Sequence, residues 1–383
     1  MAYIGLIKDL QTTALGDLDV ASPTPEIQLQ FTYGVNSDET FTTTTGSGSI
    51  ASSPPLAIVN SGASSSSMAS LSSRDILSYR AGQGSLFIFT AIFTNGVNGN
   101  TQLAGAGDNN NGIYFGYNGT SFGVNRISNS TNNWIAQPSW NVDPMNGTGS
   151  SSMNLDPTKG NVYKIQMQWL GFGNINFFIQ NPLTGRFVLV HTIQYANSFT
   201  QTSLSQPSLQ LRIASINTTN TTNIHVATAS MSACTEGIGT VLGNTFAYQN
   251  KQSCTTTEQV IFNIKNNLTF NGINNFKKVV LRSFSSLCLS NPANLSIVLN
   301  PSTTLSSYVN ISPTSCSAAD SIVTSATGGT LLAAYFLSVN NSRIQVDIAP
   351  LNLSLNPGDV VSIIGNTTTG SGVIHASLTW IES

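Results

Sequence analysis

A hydrophobic repeat of two runs through most of this chain, with no sustained repeat of 3.6 to compete with it. Ile27, Leu29 and Phe31 alternate with Gln28, Gln30 and Thr32, and Tyr163, Ile165, Met167 and Trp169 alternate with Lys164, Gln166 and Gln168. Val260, Phe262 and Ile264 do the same, as do Leu295, Ile297 and Leu299, then Ile374, Ala376, Leu378 and Trp380. Successive side chains of a strand point to opposite faces, so each of these segments reads as a strand with one buried face. Leu86–Thr94 is almost wholly apolar and reads as a central strand covered on both sides. Only Lys8–Thr13 and Asp75–Arg80 offer short helical candidates, so the chain is expected to be all-β.

Turn chemistry divides the pattern. Asn118-Gly119 is a hairpin dipeptide between Ile113–Tyr117 and Ser121–Val124, and Asn181–Gly185 and Asn356–Asp359 are further turns. The 383 residues suit two domains. Residues 1–29 read as an N-terminal arm, because Ser22-Pro-Thr-Pro25 favours extended, unpaired backbone. Residues 30–237, with about ten strands and long connections, read as a lectin-like antiparallel jelly roll. Residues 238–254 read as a linker and 255–383 as a smaller β-sandwich or jelly roll. The fold expected is thus a tandem of antiparallel β-sandwiches.

Composition narrows the function. Only 8% of residues are charged, net charge is −2, and 14 basic side chains are thinly spread, so nucleic acid is not expected as a partner. No apolar run approaches the roughly 18 residues of a membrane-spanning helix, and the N-terminus lacks the pattern of a secretory signal. Asn, Ser and Thr are so abundant that the many Asn-x-Ser/Thr sequons arise by chance. Cys234, Cys254, Cys288 and Cys316 lie far apart and match no zinc pattern. They read as buried thiols, with one or two disulfides as the alternative.

Chemistry is sparse. His191, His225 and His375 sit in separate strands without a nucleophile or orienting acid nearby in sequence, and no Gly-x-Ser-x-Gly elbow occurs. Glycoside hydrolysis needs two carboxylates about 5–9.5 Å apart, and no strand alternates Glu-x-Asp or Glu-x-Glu. An enzyme is therefore not expected, nor a cofactor. Asp108-Asn-Asn-Asn-Gly112 resembles the start of a calcium loop, but Asx-rich turns make the same string. Tyr114, Tyr117, Trp134 and Trp140 flank loops and are candidates for stacking on glycans; the plainer reading has the two Trp pinning a long loop to the sandwich.

Phe87–Phe93, Gln102–Gly107 and Gly112–Gly123, followed by Trp169–Gly173 and Val190–Asn197, resemble a module of virion surface and structural proteins. These β-rich proteins, of minor capsid, fibre or spike type, occur in large DNA viruses of algae and protists and in some tailed phages. The resemblance is good over residues 27–237 and loose beyond, where Leu355–Asp359 and Leu378–Glu382 carry it. It implies a capsid-surface or appendage protein that works by contact with other virion proteins, as a homo-oligomer, with a trimer favoured. It carries over no catalytic residue. A receptor-binding lectin contacting host-surface glycans is the alternative, and a polysaccharide depolymerase a more distant one.

Overall fold

The computed structural model describes residues 21–237, 243–304, 306–338 and 342–383. The chain is all-β, with two single-turn 3-10 segments, Gln137–Ser139 and Ala349–Leu351, as the helical elements among the described residues. It divides into two compact units, Met1–Gly239 and Thr240–Ser383. Each is an antiparallel β-sandwich.

In the first unit, Ser85–Phe93 centres a nine-stranded sheet, between Asn161–Met167 on one side and His225–Thr228 and Ser230–Glu236 on the other. Facing it is a seven-stranded sheet whose order is Thr131–Ala136, Ser121–Ser128, Gly112–Asn118, Asn100–Gly107, Leu209–Asn217, Met68–Leu77 and Thr40–Thr45. Gly112–Asn118 returns as Ser121–Ser128 through a two-residue turn in which Gly119 holds φ +60°, open to glycine without strain. The alternation seen in the sequence becomes the core: Ile27, Leu29, Phe31, Tyr163, Ile165 and Met167 are all buried. Aromatic rings fill the centre, with Phe115 4.8 Å from Tyr163 and 5.3 Å from Phe177 between centroids.

The second unit is built the same way. Asn244–Cys254, Gly372–Glu382, Val279–Cys288 and Ser342–Asp347 lie in that order in a five-stranded sheet, with Ser354–Leu355 attached to Val279–Cys288. A six-stranded sheet is ordered Val309–Asn310, Ser317–Asp320, Gln259–Asn266, Val360–Thr367, Ala293–Leu299 and Thr330–Leu337. Trp380, Phe262 and Phe284 are the largest side chains buried in this unit's core.

Three local expectations change. Residues 1–20 of the expected arm, including the candidate helix Lys8–Thr13, lie outside the described residues, but Pro23–Gln30 is a strand paired along Ser230–Glu236. It sits at the sheet edge, where prolines at 23 and 25 cost no ladder partner. The expected linker 238–254 is undescribed over 238–242, and Asn244–Cys254 is a full strand paired to Gly372–Glu382 along its whole length. Its inward positions include Asn250 and Gln252 beside Phe246 and Tyr248, which blurs the apolar alternation. Asp75 to Leu77, expected as the start of a short helix, belongs to the strand Met68–Leu77.

Candidate functional site

Three of the four aromatic candidates are packing residues. Tyr117 is 5.0 Å from Phe122 and 6.2 Å from Phe93, and Trp140 is 6.1 Å from Phe115, all edge-on in the main core of the first unit. Tyr114 is on the opposite face of the same sheet and fully buried. Its hydroxyl donates to the Asp108 carbonyl at 3.1 Å, and a Cβ at Gly112 would stand 2.3 Å from its ring, which explains the glycine there. Burial pushes the hydroxyl pKa well up, against the pull of Arg212 beside it. None of these three offers a free ring to a sugar. Flanking a turn placed them near a loop in sequence, but strand parity decided which way Tyr114 and Tyr117 point, and Trp140, directly after Gln137–Ser139, turns into the core.

Trp134 behaves differently. It is half-buried on the edge strand Thr131–Ala136, directly across from Asn125, on the face turned away from the main core. Cross-strand pairing sets Trp134, Asn125 and Tyr114 in one row of that face. The next row carries Leu103 beside the paired Gly116 and Gly123, which have no side chains to fill it, and Thr101 and Asn118 follow. The result is a groove of about 360 Å³, lined by Trp134, Thr101, Leu103, Ile127, Ile216 and four asparagines, Asn109, Asn118, Asn125 and Asn132.

Polar geometry in the groove is only partly closed. Asn125 Nδ2 donates to Asn132 Oδ1 at 2.8 Å, while Asn125 Oδ1 is buried with no donor. Trp134 Nε1 has a long contact of 3.4 Å to Ser121 Oγ. No Asp, Glu, His or Lys lines the groove. Asn125 was invisible as a candidate in the sequence; the spacing of Gly112, Gly116 and Gly123 through two adjacent strands was the available signal.

Elsewhere several titratable groups are engaged structurally. Asp108 Oδ1 accepts the backbone N–H of both Asn110 and Asn111 at 2.7 Å, an Asx turn. Asp143 takes the N–H of Met145 and of Ser151. These donors lower its pKa despite the opposing effect of burial. Glu26 pairs with Arg80 at 2.8 Å, and Glu236 accepts from Gln166. His191 Nδ1 accepts the Asn141 N–H at 3.2 Å, its Nε2 is buried without a partner, and burial lowers its pKa. Among the described residues no three His, Cys, Asp or Glu side chains gather as metal ligands.

The four cysteines are free and buried. Cys254 and Cys288 lie on the two strands flanking Gly372–Glu382, opposite Gly372 and Ile374 respectively, so roughly 12 Å separates their backbones, beyond the ~7 Å limit for a disulfide. Burial pushes the Cys254 thiol up to about 11 and Cys316 up to about 12, the latter aided by the charge of Glu382.

No family model and no curated protein matches the chain. Among solved structures, a cellulose-induced protein, Cip1, is 13% identical, with 56% of this chain and all of that one covered at a TM-score of 0.37. The Crh5 transglycosylase is 12% identical over 58% of this chain and 90% of its own, also at 0.37. The carbohydrate recognition domain of Emp46p is 7% identical over 51% and 88%, at 0.32. At such identities and scores, none of the three indicates what this chain binds or does.

Proposed function

We propose that this chain is a non-enzymatic structural protein of a virus particle, and that its N-terminal sandwich holds a neutral glycan in the asparagine-lined groove. The observation that carries the glycan contact is the half-buried ring of Trp134 in a groove lined by four amides, Asn109, Asn118, Asn125 and Asn132, and by no charged group. The aromatic ring supplies an apolar platform for the C–H face of a sugar, and neighbouring amides fix its hydroxyls.

A contact role, rather than a catalytic one, is supported by the absence of any carboxylate along the groove and by the structural hydrogen bonds that hold Asp108, Asp143 and Glu236. Glycan-array binding and calorimetry test the reading: Trp134→Ala and Asn125→Ala should each weaken binding of a neutral oligosaccharide by about tenfold. An array on which the parent chain binds nothing would end it. Placement on a capsid surface or appendage rests on the sequence resemblance and the nearly uncharged surface. Its test is fractionation of purified particles, where the chain must travel with the virion. Release of new reducing ends from host polysaccharide would instead favour a depolymerase.

A further inference from the structure

We infer that the outer face of the five-stranded sheet in the second unit is a binding site for an acidic saccharide, one carrying carboxylate or sulfate groups. Strand pairing places Lys251 opposite His375, His375 opposite Leu287, and Leu287 opposite Arg343, so one row across four strands carries three nitrogen bases. Directly paired residues share a face. That face is the outward one: the intervening residues Tyr248, Ile374, Ala376 and Phe284 pack into the core. The row spans three strand spacings, about 14 Å.

The neighbouring row is Gln249, Ser377, Ser285 and Gln345, all amide or hydroxyl. Together the two rows line a groove of about 460 Å³ that contains no carboxylate. The side chains of Lys251, His375 and Arg343 have no hydrogen-bond or ion-pair partner among the described residues. The nearest acid on this face is Asp347, four residues along the strand from Arg343 and paired with Ser283, with Oδ1 already accepting the Ala349 N–H.

In a chain with only 14 Lys and Arg in 383 residues, two of them in one row beside a histidine are a concentration of charge that folding does not use. The chemistry selects the occupant. Cations recognise the acidic group, the hydroxyl and amide row matches sugar hydroxyls, and the partly exposed Leu287 meets C–H surface. A duplex would need a broader basic field, and a single strand would need exposed aromatic rings for stacking, which this groove lacks. The site is separate from the groove on the first unit and does not depend on it.

The test is calorimetry on the full chain with three tetrasaccharides: one sulfated, one with carboxylates only, and one neutral. At least one acidic probe should bind and the neutral one should not, and binding should weaken at roughly 0.5 M salt, where charges are screened within about 4 Å. Lys251→Gln and Arg343→Gln should each weaken it about fivefold, a modest effect because both side chains are exposed, and the double variant should abolish it. The two acidic probes distinguish sulfate from carboxylate recognition, and Trp134→Ala should leave the result unchanged. Far-ultraviolet circular dichroism checks that the double variant is folded. Binding of neither acidic probe, equal binding of the neutral one, or undiminished binding by a folded double variant would overturn the site.

Discussion

Two buried ionisable residues, Glu382 and His191, tie folding to pH in different windows. Glu382 is 1% exposed and has no counter-ion within salt-bridge distance among the described residues, yet it accepts from Ser315 Oγ at 2.5 Å, Ser317 Oγ and the Cys316 N–H at 2.7 Å, and Trp380 Nε1 at 3.2 Å. Burial alone would raise its pKa, but these four donors outweigh it and hold the carboxyl below its ordinary value. The unfolded chain therefore binds the proton more readily, so the stabilisation is complete above about pH 4.3 and is lost as pH falls through the lower folded value. Glu382→Gln should cost about 1–3 kcal/mol in urea unfolding at neutral pH, with a smaller deficit near pH 3. His191 works in a higher window. Burial lowers its pKa, so the unfolded imidazole charges first and stability falls as pH drops below about 6.5. Replacing it with Gln, which keeps an acceptor for the Asn141 N–H, should flatten the melting temperature between about pH 7 and 5. A slope unchanged by the replacement would assign that window to another group. The role of His191 was legible, since it shares the apolar face of its strand with Leu189 and Ile193, where a hydrogen-bonded core histidine belongs; that of Glu382 was not, because its network forms only when Ser315–Ser317 is folded against it.

At the scale of strands, the apolar alternation was legible wherever the inward positions were uniformly hydrophobic. Tyr163, Ile165 and Met167 are one such set, and Ile374 to Trp380 another. It failed where polar residues take inward positions, as in Asn244–Cys254, where Asn250 Nδ2 donates to the Ile261 carbonyl at 2.7 Å and so satisfies itself inside the sandwich. The apolar strand Thr330–Leu337 lies largely outside the core. Thr330–Leu337 is paired on one side only, at the end of the six-stranded sheet, with Leu331 60% and Phe336 76% exposed. An uncharged edge with protruding apolar groups is a template for another strand. If the chain forms homo-oligomers, this is the edge expected to make them. Leu331→Lys with Phe336→Lys should then lower the sedimentation-derived mass, and an unchanged mass would move the contact elsewhere.

Over the whole molecule, electrostatics are local and few. Only 8% of residues are charged, and the ion pair Arg80–Glu26 is partly exposed. Surface pairs of that kind contribute about 0–1 kcal/mol. The unfolding midpoint should therefore move little between dilute and molar sodium chloride, in contrast with acidic-saccharide binding, which salt should suppress. A midpoint that fell steeply with salt would show that charge pairing contributes more to folding than this.

The pairing of Asn244–Cys254 with Gly372–Glu382 has a consequence in time. The first and last strands of the second sandwich are neighbours, and Asn244 meets Glu382 across nearly the full length of that unit. A ribosome delivers the first partner long before the second, so this sheet has to wait, with half its interior wet, until residue 382 has emerged. The earlier sandwich has every strand in hand by Glu236 and is free to close during synthesis.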